Sequence, residues 1–285
     1  WSAGQPFTLL VDEVAAVADL YTQYLHDCRQ KLGLHSIQPG RFVLPGEFAG
    51  APMLQFVPWV WALPDSTPSH DSLYGLFQAR YEAYKEHVVR QFYQKHFSGF
   101  DRQIVLVDCL QPLKISQEAI YDLRDTLGQL LQSFQYGNSH WWQRLFAPRI
   151  DKLLFVASKA DHVTPEQHPA LLSLLRELVH PGLAIARFEG ISLECMAMAA
   201  IRASEYHQVE YQGKPLTVLH GTNLAGHELA LFPGMIPSRI PEPDFWQNPA
   251  LRLTDLRPPS WNGKQAMPHI RLDQVLEYLL GDKMQ

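Results

Sequence analysis

Apolar residues recur at helical spacing in several long stretches of the chain and gather into short continuous runs elsewhere, and the two patterns predict different elements. Residues 9–32 set Leu10, Val14, Val17, Ala18, Tyr21, Leu25 and Cys28 close to one face, with Gly33 as a stop, which predicts a helix. Residues 72–97 align Leu73, Leu76, Phe77, Tyr81, Tyr84, Val88, Phe92 and His96 opposite Arg80, Glu82, Lys85 and Glu86, a longer amphipathic helix. Its aromatic stripe reads as core rather than as a base-stacking platform. Between the two, Pro39-Gly40, Pro45-Gly46, Pro52, Pro58 and Pro64 break regular structure. Phe42, Phe56, Trp59 and Trp61 make the same segment too apolar for disorder, so it is expected to pack down. Residues 1–98 are therefore expected to form a small helical subdomain.

The pattern changes near Gly99. Ile104-Val-Leu-Val107 and Leu153-Leu-Phe-Val-Ala157 are continuous apolar runs of the kind found in parallel strands covered on both faces. Residues 116–134 predict a helix with Ser116 as N-cap, residues 138–146 a second short one, and residues 165–179 a third, closed by Pro181-Gly182. Residues 195–203 suit another strand. Two more flank Gly213-Lys214-Pro215, predicting a hairpin over 206–220. Residues 233–268, rich in Pro and Trp, should be irregular, and residues 272–280 form a last helix before Gly281. Strands alternating with helices over 100–205 give residues 99–285 an α/β class with a mostly parallel sheet between helices.

Composition narrows the function classes. With 285 residues, 46% of them hydrophobic, the chain can bury a substantial core. A net charge of −5 without a dense basic block argues against nucleic acid and anionic membranes as partners, but not against a small anion in a local pocket. Cys28, Cys109 and Cys195 are few, odd in number and far apart, which fits a reducing cytoplasm. Peripheral membrane association stays open, but no apolar run is long enough to span a bilayer. The chain begins on Trp1 without a signal peptide and is expected to be part of something longer.

The candidate chemistry centres on Ser158-Lys159-Ala160-Asp161, which follows the second apolar run. Ligands of open parallel sheets bind outside the carboxyl ends of the strands. An ionised Asp there accepts from the N1–H and 2-amino group of guanine, while the Lys stem packs on the purine face; adenine presents the opposite pattern. Thr164-Pro165-Glu166 then reads as a helix start. A turn with an exposed lysine and an N-capping aspartate explains the same residues without a ligand. Ile104-Val-Leu-Val-Asp108 has the form of a Mg²⁺-holding strand, but the phosphate-cradling Gly-x-x-x-x-Gly-Lys-[Ser/Thr] loop it needs is absent from the sequence. No Gly-x-Ser-x-Gly elbow, His-Glu-x-x-His pair or other metal-ligand spacing occurs among the 13 histidines, so no metal site is expected. Cys109 follows a strand without an evident activating base.

Several long blocks resemble the bacterial YcjX family: residues 37–46 (Ile-Gln-Pro-Gly-Arg-Phe-Val-Leu-Pro-Gly), 100–113, 153–163, Phe188-Glu-Gly-Ile-Ser192, and Pro268-His-Ile-Arg-Leu-Asp273 with Gly281-Asp-Lys283. The resemblance runs along essentially the whole chain. It implies a P-loop GTPase linked to stress responses, using GTP/GDP and Mg²⁺, with a helical insertion in the G domain. It places the phosphate loop and switch segment upstream of Trp1, so this chain would hold the insertion and the rear of the G domain. Asp108 would then lie one strand beyond the Mg²⁺-binding one, and a structural role at the strand end is expected of it in preference to metal binding.

By the same resemblance, Lys159 and Asp161 match the base-recognition motif Asn/Thr-Lys-x-Asp, with Ser158 in place of its first residue. Ile201-Arg-Ala-Ser204 is the positional match to the second base loop, the Ala203 N–H reaching guanine O6 beside Ser204; a plain strand-to-hairpin turn fits equally. Arg41 is a candidate cis arginine finger, as in Gα proteins, against a purely loop-bracing role. The expected partners are a guanine nucleotide, the upstream part of the same protein and an unidentified protein. Two charged hydrogen bonds at about 1.5–3 kcal/mol each, with ring packing, amount to about −4 kcal/mol, a Kd of about 1 mM. This chain alone is therefore expected neither to hold GTP tightly nor to hydrolyse it. The alternative is a non-enzymatic interaction module built on a degenerate half-domain; a Cys109 nucleophile enzyme ranks below both.

Overall fold

A computed structural model describes residues 11–37, 45–58, 72–96, 100–133, 150–188, 190–247 and 251–284. Two compact units divide the chain, Trp1–Gly99 and Phe100–Gln285. In the first, helix α1 (Val11–Leu32) buries Val14, Ala18 and Cys28 of the expected stripe, whereas Val17, Leu20 and Tyr24 remain exposed. Ser72 caps helix α2 (Leu73–Tyr84), its Oγ accepting from the Gly75 N–H at 3.1 Å. The single helix expected over 72–97 is interrupted: a π-helical turn, Lys85–Arg90, separates α2 from α3 (Gln91–His96). Phe77 joins Val14 and Phe56 in a small core, while Tyr81 and Phe92 are exposed, so only part of the aromatic stripe is core. Phe56 is buried as expected of its loop; Phe42, Trp59 and Trp61 lie outside the described residues.

The second unit is built on a parallel three-stranded sheet in the order β1 (Arg102–Val107), β2 (Lys152–Ala157), β3 (Ser192–Ala197). The register aligns Val107, Ala157 and Ala197, so all three strands end at one level. Leu153 to Ala157 are buried throughout, as a continuous apolar run between two covered faces requires. Helices α4 (Leu110–Ile115), α5 (Gln117–Ser133) and α6 (His168–Phe188) pack with Leu153 and Phe155 on one face; α7 (Leu272–Leu280) lays Val275 and Leu279 against Leu154, Val156 and Met198 on the other. Ser116 does cap α5, its Oγ accepting from the Ala119 N–H at 3.2 Å.

Four expectations need correction. Helix α6 does not stop before Pro181-Gly182 but runs through to Phe188. Gly182 is buried against α5, where a Cβ would lie 2.1 Å from Leu131 Cδ1, so close helix packing outweighs the local stop signal. Thr164 does stand at an N-cap with Pro165 first in the helical turn, but the element it opens is a 3₁₀ turn, Pro165–Gln167, and the Thr164 Oγ accepts from Gln167 Nε2 at 3.3 Å instead of from a backbone N–H. The strand expected over 195–203 is β3, three residues earlier at its start and finished by Ala197. The hairpin turn is Gln212-Gly213, both at positive φ (52° and 74°), joining β4 (Ser204–Tyr211) to β5 (Lys214–Thr222). Lys214 and Pro215 belong to the strand. A third strand, β6 (Glu228–Leu231), completes this antiparallel sheet.

Residues 233–247 and 251–268 are largely irregular, but they are pinned to the core rather than loose. Ile236 and Ile240 donate their N–H groups to Gln167 Oε1 at 2.7 Å and Glu177 Oε2 at 3.2 Å, and Trp246 Nε1 donates to the Leu113 carbonyl at 3.0 Å. The short helix expected over 138–146 falls outside the described residues.

Candidate functional site

At the carboxyl end of β2 the chain turns sharply at Lys159, a non-glycine residue with φ 59° and ψ 35°. Such left-handed geometry costs about 1 kcal/mol or more and persists only where neighbours fix it. Here they do. The Ser158 N–H and Oγ both donate to the Val107 carbonyl, at 2.9 and 3.2 Å. Beyond Lys159, the Ala160 N–H donates to the Met198 carbonyl at 3.1 Å, and the Ala160 carbonyl lies 2.9 Å from His168 Nε2. His168 is buried, and burial depresses its pKa; because the Ala160 carbonyl can only accept, Nε2 carries the proton in this contact.

Lys159 and Asp161 leave this turn in different directions. Lys159 Nζ pairs with Asp108 Oδ2 at 2.9 Å. Burial works against its charge, but the hydrogen bond and charge of Asp108 more than offset that, and its pKa lies above the usual lysine value. Asp108 Oδ1 accepts from the Leu110 and Gln111 N–H groups, each at 3.1 Å, closing the first turn of α4. Both carboxylate oxygens of Asp108 thus have structural partners, which does not fit a Mg²⁺ ligand.

Asp161 is not open at the sheet rim as expected. It is 3% exposed, and its Oδ2 accepts from the Ala203 N–H at 2.9 Å. Its own carbonyl accepts from Ser204 Oγ at 2.5 Å. The structure therefore brings Ser158, Lys159, Asp161, Ala203 and Ser204 together, but it spends the Ala203 N–H on the aspartate instead of leaving it free for a ligand. The Asp161 Oδ1 takes no hydrogen bond from the described residues. The cleft beside Lys159, lined by Asp108, Gln111, His162 and Asp255, encloses about 30 Å³, room for a water but not for a purine. Arg41 lies outside the described residues. Burial raises the Cys109 thiol far above its usual pKa and the Cys195 thiol to about 11, so neither is a ready nucleophile.

Sequence reading passed over His168 as a brace of this turn, whereas a structural role for Asp108 was the favoured expectation. Asp108 was legible as a strand-end residue; the eight-residue spacing from Ala160 to His168 carries no recognisable signal.

A parallel sheet covered by helices on both faces, with a Lys-x-Asp turn at its strand ends, is a mixed α/β arrangement consistent with a GTPase-like domain. The chain belongs to the YcjX-like family, DUF463, which matches residues 8–284. It is 45% identical over 280 residues to the Ras-like GTPase YcjX of Escherichia coli (strain K12), covering 96% of this chain and 60% of that protein. It is 42% identical over 283 residues to the Ras-like GTPase YcjX of Shewanella oneidensis, covering 96% of this chain and 58% of the relative. The chain thus spans less than two thirds of the length of these relatives. Among the described residues, no helix is long and apolar enough to cross a membrane.

Proposed function

We propose that this chain supplies the base-recognition half of a guanine-nucleotide site in a GTP-hydrolysing protein, the rear of a G domain joined to a helical insertion. The phosphate-binding half belongs to the remainder of the full-length protein. The observation that carries the reading is Asp161 at the carboxyl end of β2, with Oδ2 held by the Ala203 N–H and Oδ1 left for a ligand. The Ala203 bond keeps the carboxylate at the strand end; a guanine donating from N1–H and its 2-amino group would replace that bond at Oδ2 and add one at Oδ1. The relatives' description as Ras-like GTPases supports the same reading. To admit a purine, Lys159 must swing from Asp108 and lay its stem on the ring, and the Ala203 N–H must turn from Asp161 to the purine oxygen. The relay between these partners is short, since Ala203 and Ser204 already touch Asp161.

In the full-length protein, Asp161→Asn should lower GTP affinity about tenfold or more and raise that for XTP, because the amide donates where the carboxylate accepted. Competition binding with GTP and XTP measures the exchange, and an unchanged preference overturns the base-recognition role. Arg41→Ala distinguishes the cis finger from a loop brace. A finger costs about 10³-fold or more in kcat, whereas an unchanged single-turnover rate leaves only the brace.

A further inference from the structure

On the antiparallel sheet, three potential metal ligands from the two strands of one hairpin converge. Glu205 and His207, two residues apart on β4, point to the same face, and His220 of β5 stands directly opposite Glu205 in the ladder. His207 Nε2 is 3.6 Å from Glu205 Oε2, and the His207 and His220 ring centroids are 4.9 Å apart. One ligand atom from each of the three residues lies within 4.8 Å of the others. Glu205 and His207 are exposed and His220 is half-buried.

We propose that Glu205, His207 and His220 form a binding site for a divalent transition-metal ion, Zn²⁺ in the first instance. Bonds of about 2.0–2.1 Å in a tetrahedron hold ligand atoms about 3.3 Å apart. The Glu205–His207 edge is almost at that length, and a modest turn of the His220 ring closes the rest. Two imidazole nitrogens and one carboxylate select zinc and its neighbours over Mg²⁺ or Ca²⁺, which prefer all-oxygen shells. Water fills the fourth position. The Glu205–His207 contact and the stacking of the two histidine rings set all three side chains on one face with ligand atoms turned toward a common point. The site lies one residue from Ser204, so a bound ion clasps β5 to β4, whose first residue, Ser204, donates its Oγ–H to the Asp161 carbonyl. It does not depend on the nucleotide reading.

The test uses the purified chain without a histidine tag, stripped by chelation and titrated with ZnCl₂ against a competing indicator. One equivalent should bind, and His207→Ala and His220→Ala should each weaken it at least about tenfold. Co²⁺ should give visible absorption that the same variants abolish. A wild-type chain that binds no Zn²⁺ tighter than about 1 mM overturns the proposal. So does a His207→Ala/His220→Ala double variant whose titration superimposes on the wild type. Glu205→Gln keeps the side chain's shape and decides the matter should an alanine variant fail to fold: unchanged affinity removes the site.

Discussion

Asp108 serves two partners at once, and each can be removed separately. Its Oδ1 holds two N–H groups of α4 and its Oδ2 holds Lys159. Losing a helix-start acceptor costs about 0.5–2 kcal/mol, whereas a half-buried ion pair still screened by solvent contributes about 1 kcal/mol or less. Asp108→Ala should therefore destabilise the chain by about 1–2 kcal/mol, and Asp108→Asn, which keeps the acceptor oxygen, by less than half of that. Urea unfolding of the two variants measures the difference, and equal losses would show that the lysine pair dominates. The Lys159–Asp161 motif was readable at this scale because its placement follows from a strand ending. The bond from the Ala203 N–H to Asp161 spans 42 positions, and no local pattern encodes it.

Elements show where local signals yield to packing. Pro-Gly is a sound stop for a helix, and the missing N–H of an interior proline costs about 3 kcal/mol. Helix α6 nevertheless continues past it, with buried Val179 and half-buried Leu183 both in the main core. Gly182→Ala tests what that glycine is for. Overpacking against Leu131 costs about 1–3 kcal/mol, against a helix-propensity gain of at most about 1 kcal/mol. A net loss of stability is expected in thermal unfolding; a gain would mean that α5 moves aside freely. The hairpin teaches a related lesson. Moving its turn to Gln212-Gly213 sets the register, and the register is what puts His220 across from Glu205. The separation of the two histidines along the chain could not reveal that pairing.

For the Phe100–Gln285 unit taken whole, the last helix closes the second face of the parallel sheet, and its end is fastened by charge. Asp282 pairs with Arg102 and with Lys152, the latter at 3.0 Å, while Lys283 pairs with Asp101. The hydrogen bond from Arg102 first, then that from Lys152, holds the Asp282 carboxyl below the usual carboxylate range; Lys283 does the same for Asp101. A depressed carboxyl pKa gives stability that is fully present above the unfolded value of about 3.8 and is lost as pH falls through the folded value. Asp282→Asn should therefore be less stable than wild type at neutral pH, and the gap should narrow progressively as pH falls below about 4. Urea midpoints from neutral pH into acid measure it; a gap that does not narrow would assign the effect to shape rather than charge. High salt should narrow the same gap at neutral pH, because these groups face solvent.

The amino-acid sequence by itself determined the parallel strands, the helices around them, the family resemblance and the place of Lys159 and Asp161. Each depends on apolar periodicity or on a contiguous block of residues, which a linear chain carries openly. Only the tertiary structure decided that α6 runs on past its proline, that Lys159 turns to Asp108, that Asp161 is buried and held by Ala203, and that Glu205, His207 and His220 meet. Those outcomes depend on register and on close approach between distant segments, where the free energy belongs to a pair of surfaces and not to either stretch of chain alone.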